Sequence, residues 1–65
     1  MNKLVELRVQ SGLSQTELAE ILGVKQNTIS GWEKGVRHPS ISMLKKIATY
    51  FGTSIDSLVE EGAAV

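Results

Sequence analysis

QTELAEILGVKQNTISGWEK, residues 15–34, is the stretch whose reading decides the fold. It predicts two short helices around a tight turn. Ser14 stands just before a run of good helix formers, with Glu17 three residues on. That spacing is a capping box, in which the serine oxygen accepts from the Glu17 amide and the carboxylate reaches back. Leu18, Leu22 and the intervening Ile21 supply the apolar face of this helix. Gly23 ends it, because glycine takes the left-handed conformation a helix C-terminus needs at little steric cost. Val24 anchors the turn, and Lys25 to Lys34 reads as the next helix. The strong apolar residues of that helix are Ile29 and Trp32 alone, spaced i, i+3. So thin a stripe cannot be buried all round, so one whole side faces solvent or a polar ligand. Lys25 is a poor N-cap, and a cation at a helix N-terminus opposes the dipole. Selection for stability alone would place a serine there.

Outward from this stretch, the flanks read as support and closure. Leu4, Leu7 and Ser11 repeat at helical spacing, predicting a first helix from Asn2 to Ser11 that stops at Gly12. Arg8 adjoins Leu7 on its inward side. After Gly35, the segment VRHPS is a short loop, since Pro39 forbids a continuing helix and biases His38 toward extended geometry. Ser40 caps a fourth helix, in which Ile41, Leu44, Ile47, Ala48 and Phe51 recur at three- and four-residue steps. Thr53 or Ser54 caps a last short helix with Ile55, Leu58 and Val59 on its apolar side. No strand-length alternation occurs. The expected fold is all-α, a compact five-helix bundle over residues 1–61, with residues 62–65 a frayed tail. Its expected core is Leu4, Leu7, Leu13, Leu18, Ala19, Leu22, Val24, Ile29, Trp32, Leu44, Ile47, Ala48, Phe51, Ile55 and Leu58.

Composition excludes several kinds of chemistry. With 65 residues there is room for one domain. There is no cysteine, which removes disulfides and thiolate metal sites. One histidine among scattered acids makes no zinc site, and no nucleophile with a paired base is identifiable, so neither a metal nor an enzymatic activity is expected. Apolar runs are too short to span a membrane or to form a signal peptide, and cytoplasmic residence is expected. The net charge is zero but unevenly spread: −1 over residues 1–24, +4 over residues 25–46 and −3 over residues 47–65. A neutral chain with one positive region can still bind an anion there.

The segment LSQTELAEILGVKQNTISGWEKG resembles the lambda-repressor-like helix-turn-helix family, which includes the Cro-type and xenobiotic-response-type regulators. Gln15 opens the motif, Ala19 falls where two helices cross, Gly23 is the turn, and Val24, Ile29 and Trp32 take the apolar slots. The preceding Leu-x-x-Leu-Arg-x-x-x-Gly-Leu-Ser pattern and the following Pro-Ser-x-x-x-Leu-x-x-Ile-Ala pattern also fit, so the resemblance spans roughly residues 2–61. It implies that the second helix of the motif enters the major groove of double-stranded DNA with its N-terminal residues on base edges. On that resemblance Gln26, Asn27 and Gly31 fall at base-contacting positions. Gln26 and Asn27 carry the donor and acceptor that match an adenine edge, Thr28 offers a hydroxyl or a methyl contact, and Ser30 lies nearby. Gly31 departs from the long polar reader expected there. A glycine within a helix costs about 1 kcal/mol against alanine, which implies a packing or docking reason. Gln15 falls where the family binds a phosphate and braces the first reader. Lys34, Arg37 and His38 flank the loop that resembles its second phosphate clamp, and Lys25, in place of the usual cap, can also reach a phosphate. Such contacts give affinity and register without sequence preference. Trp32, by its spacing from Ile29, belongs to the core rather than to a stacked base. The family pattern also pairs Arg8 with Glu33 as a structural ion pair.

The function so implied is a sequence-specific transcriptional regulator, expected to be a repressor that binds a palindromic operator as a homodimer. Ile55 and Val59 are candidates for the dimer contact. No cofactor and no small-molecule ligand are implied. The alternative is a protein-binding module such as the antitoxin of a toxin-antitoxin pair, because a fold does not fix a function.

Overall fold

Each helix is anchored by at least one large side chain that it cannot bury alone. Leu4, Leu18, Leu22, Ile29, Ile47 and Leu58 are the largest fully buried residues, and between them they come from all five helices of the computed structural model. Burying such a side chain contributes about 1.5–3 kcal/mol. The structure describes residues 2–59, of Asn2 the backbone alone. Met1, residues 60 and 61 of the expected domain, and the expected frayed segment 62–65 lie outside them.

Among the described residues the chain is all-α: α1 (Asn2–Gln10), α2 (Gln15–Leu22), α3 (Gln26–Lys34), α4 (Ile41–Phe51) and α5 (Ile55–Val59). Three of the helices, α2, α4 and α5, begin where a serine caps them. The Glu17 amide donates to Ser14 Oγ at 3.0 Å and the Ser14 amide to Glu17 Oε1 at 2.8 Å, which completes the capping box of α2. The Met43 amide donates to Ser40 Oγ at 3.2 Å at the head of α4. Ser54, not Thr53, caps α5 by accepting from the Ser57 amide at 3.0 Å.

Between α2 and α3 the chain reverses in three residues. Gly23 holds φ at 76°, and the Val24 amide donates back to the Ala19 carbonyl at 2.9 Å. An L side chain in that conformation would cost roughly 1–2 kcal/mol. The closed turn lets α2 and α3 pack on each other more extensively than any other pair, while α1 packs on α3 and α5, and α4 on α5.

The core gathers Ala19, Trp32, Leu44 and Ala48 around the six fully buried residues, with Leu7, Leu13, Val24, Met43, Phe51, Ile55 and Val59 partly buried against it. The fifteen residues expected to face inward are all among these. Three expectations need correction. Ile21 is 39% exposed, because the buried stripe of α2 runs through Leu18, Ala19 and Leu22 and leaves Ile21 at its edge. Ile41 is 64% exposed although it shares the spacing of Leu44. It is the first residue of α4, and Cβ bonds tilt toward a helix N-terminus, so its side chain overhangs the end of the helix rather than the core. Ser11 is exposed and just beyond α1, and its amide closes the helix on the Leu7 carbonyl at 3.0 Å.

Ala19 is 3% exposed, which leaves no room for a larger side chain. Ala19→Leu is expected to destabilise the domain by about 1–3 kcal/mol through overpacking. Urea unfolding followed by circular dichroism measures it, and an unchanged midpoint would show slack in the α2 face.

Candidate nucleic-acid interface

What sets the attitude of α3 is a carboxylate near its end. Glu33 receives both arms of Arg8, Nε at 2.6 Å on Oε2 and Nη2 at 3.1 Å on Oε1. The third guanidinium nitrogen, Nη1, donates to the Leu13 carbonyl at 2.9 Å. One arginine on α1 thus fastens both α3 and the loop that leads into α2. The side chains of Arg8 and Glu33 are only 15% and 7% exposed. A two-pronged charged contact of this kind fixes orientation as well as distance. Burial works to raise the Glu33 carboxyl, but hydrogen bonds from Arg8 and Gln15 and the Arg8 charge outweigh it and hold the group below its ordinary value. The bond to Glu33 in turn raises Arg8, against burial.

The network continues to the surface. Gln15 Nε2 donates to Glu33 Oε1 at 2.8 Å, and Gln15 Oε1 accepts from Gln26 Nε2. Arg8, Glu33, Gln15 and Gln26 form one relay from α1 through the end of α3 to the heads of α2 and α3. An amide left free at a helix start samples several rotamers. Here the Gln26 carboxamide is held on one side, which leaves its carbonyl oxygen for another partner. Gln15, half-buried between Glu33 and Gln26, braces Gln26 through its own carbonyl.

The remaining residues singled out in the sequence lie on α3 and its two ends. Gln26 and Asn27 are exposed, Thr28 and Ser30 half-buried, and Gly31 buried. Lys25 occupies the N-cap with extended backbone and makes no side-chain capping bond, so the sequence's poor cap is also a poor cap in the fold. Lys34 is exposed in the last turn, where a cation suits the dipole. Arg37 and His38 are exposed in the loop between α3 and α4. Arg37 does not simply leave the helix. A Cβ built on Gly31 would lie 3.0 Å from Arg37 Cδ and 3.2 Å from its Cγ, so the arginine stem lies across the helix at that position. This is the packing reason for a mid-helix glycine, and no signal within α3 itself discloses it.

One contact beside the turn was not legible at all. Lys46, from α4, donates from Nζ to the Leu22 carbonyl at 2.9 Å and so closes the C-terminus of α2 beside the turn. Its spacing within α4 marks it only as a polar-face residue; its partner is 24 residues away in sequence.

Comparison with known proteins adds an independent line. A family model described as helix-turn-helix matches residues 4–58. The chain is 37% identical over 60 residues to the cryptic phage CTXphi transcriptional repressor RstR of Vibrio cholerae, covering 92% of this chain and 54% of that protein. It is 42% identical over 57 residues to the HTH-type transcriptional activator BcrR of Enterococcus faecalis, covering 88% of this chain and 28% of that protein. It is 36% identical over 59 residues to the HTH-type transcriptional regulator AnsR of Bacillus subtilis, covering 91% and 51%. The chain therefore spans about half the length of two of these relatives and less of the third. No solved structure matches the chain.

The Arg8–Glu33 geometry carries two expectations. Arg8→Met should cost about 3–5 kcal/mol, because it leaves a largely buried carboxylate without its cation. Adding Glu33→Leu should recover part of that loss in urea unfolding, and a double variant no more stable than the single one would mean the two are not coupled. The second concerns pH. A carboxyl whose folded value is depressed contributes stability above its unfolded value and loses it as pH falls through the folded one. Unfolding free energy should therefore decline as pH drops below the ordinary value of 4.5. Glu33→Gln should flatten that acid limb, as read from thermal midpoints across the range.

Proposed function

The chain belongs to the lambda-repressor-like helix-turn-helix family, and on that premise we propose that it is a sequence-specific regulator of transcription that binds double-stranded DNA. The observation that carries the reading is the head of α3. Gln26 and Asn27 are exposed at its first turn, and Gln26 is held in place by Gln15, itself bound to the largely shielded Glu33 carboxylate. A helix of this kind enters the major groove with its N-terminal residues on base edges. Gln26 and Asn27 match the N6 and N7 edge of adenine, and Thr28 and Ser30 flank them. Gln15, braced against Glu33, and the exposed Lys25, Lys34 and His38 grip the backbone phosphates on either side. The first-turn amides of α3, which no side chain caps, suit the same anionic partner.

One such module covers one half-site. The protein acts as a homodimer on a palindromic operator, with half-sites about 34–36 Å apart. Ile55 and Val59, both only partly buried, are the apolar residues available on α5 for the dimer contact. The names of the relatives divide, a repressor in Vibrio cholerae and an activator in Enterococcus faecalis, and the mode favoured here is repression. Occupying an operator is enough to block polymerase, whereas activation requires a further contact with it. The work is done in the cytoplasm, where the DNA is; no helix among the described residues is long and apolar enough to cross a membrane.

Selection from random duplex DNA, followed by binding at several salt concentrations, tests the proposal. The expected outcome is a palindromic consensus with affinity that falls steeply as salt rises. No enrichment over non-specific binding would overturn it. Gln26→Ala is expected to relax preference at one base pair per half-site and cost about 1–3 kcal/mol on the selected site.

A further inference from the structure

Gly31 lies on the outer face of α3, at i+4 from Asn27 and i−3 from Lys34, away from Ile29 and Trp32, which are buried in the core. It is nevertheless buried, and the three atoms nearest to where its Cβ would stand are Cδ, Cγ and Cβ of Arg37, at 3.0, 3.2 and 3.4 Å. The chain beyond α3 is built to put them there. Gly35 reverses the backbone at φ 80°, and the amides of Val36 and Arg37 both donate to the Gly31 carbonyl, at 3.0 and 3.2 Å. Arg37 is thereby folded back onto the turn that contains Gly31. Its stem takes the space that a side chain at position 31 would fill. The residue as a whole stays exposed, and its guanidinium makes no hydrogen bond or ion pair with any described residue.

The geometry points to Arg37 as a base-reading residue, delivered from the loop across Gly31 onto the outer face of the recognition helix, rather than as a phosphate clamp. This rests on the DNA-binding reading above and deepens it. Gly31 is the positioning residue that makes room. The class of base follows from the chemistry of the head group. A guanidinium has donors only, in a rigid fork, and matches the two acceptors O6 and N7 of guanine in the major groove. Gln26 and Asn27 suit adenine, so the half-site is expected to contain a guanine at the position beyond those they read. A phosphate clamp would need no such seat, because a backbone contact demands charge and reach but little orientation. A stem seated over Gly31 fixes Cβ, Cγ and Cδ, so that only the Cγ–Cδ and Cδ–Nε torsions remain to aim the guanidinium, which suits base readout.

The test is selection from random duplex DNA with the full chain, run in parallel for the wild type, Arg37→Ala, Arg37→Lys and Gly31→Ala. Circular dichroism checks that each is folded. Arg37→Ala is expected to erase the preference for guanine at one position per half-site and leave the other positions intact. Its affinity for the wild-type site should fall about 5- to 150-fold, with a much smaller loss on non-specific DNA. Arg37→Lys keeps the charge and can still donate to guanine, but without the fork its preference for guanine should be weaker than the wild type's and stronger than that of Arg37→Ala. Gly31→Ala should disturb that position alone, because its methyl displaces the stem. If the wild type selects a site and Arg37→Ala selects the same one, Arg37 is not a reader and this inference falls while DNA binding stands. A wild type that selects no sequence overturns both.

Discussion

A carboxylate placed where little solvent reaches it constrains the rest of this structure. Glu33 lies near the end of a nine-residue helix with only two large apolar side chains to hold it down. Burying a charge without partners is costly, so Glu33 requires its two prongs from Arg8 and its amide from Gln15. Those requirements place α1, the Leu13 loop and the head of α2 around α3. The pair adds modest net stability, since desolvation consumes much of the Coulomb gain. What it supplies is angle. Two apolar residues at i and i+3 define a contact line about which a helix can still roll. A bidentate charge contact at one end removes that freedom.

The same constraint reaches the surface where chemistry with a partner is proposed. Gln15 is shared between the buried carboxylate and the exposed Gln26, so the rigidity of the interior is passed to the first side chain of α3. The head of α3 shows the opposite compromise. A serine at position 25 would cap the helix as Ser14, Ser40 and Ser54 cap α2, α4 and α5, yet a lysine stands there and makes no capping bond. Local rules are obeyed at three helix starts and broken at the one that faces the proposed ligand. Departures from local optimality gather at functional surfaces in this way, because the group they suit is not part of the chain.

How much of this was legible in the sequence depends on the range of the interaction. Ser14 with Glu17, Gly23 and Ser40 act on neighbours within a few residues, and the helix boundaries they imply lie within about one residue of those observed. The apolar spacing placed the core, and it failed where geometry at a helix end or edge intervenes, at Ile41 and Ile21. At the interface the polar face of α3 was readable from what it lacks. The reason for Gly31 was not. A glycine in a helix signals that something must come close, and only the reversal after Gly35 shows that it is Arg37. Lys46 was invisible for the same reason, since its acceptor belongs to a helix distant in sequence.

By itself, then, the sequence determined five helices, their caps, the turn between α2 and α3, the inward residues and the thinly apolar character of α3, because capping, periodicity and glycine conformation are properties of short stretches. The resemblance already paired Arg8 with Glu33; tertiary structure alone decided the bidentate geometry of that grip, the continuation of the network through Gln15 to Gln26, the closure of α2 by Lys46 and the seat of Arg37 on Gly31. Each of these joins groups that no local rule relates. Their geometry exists only once the buried faces of all five helices have fixed the distances between them.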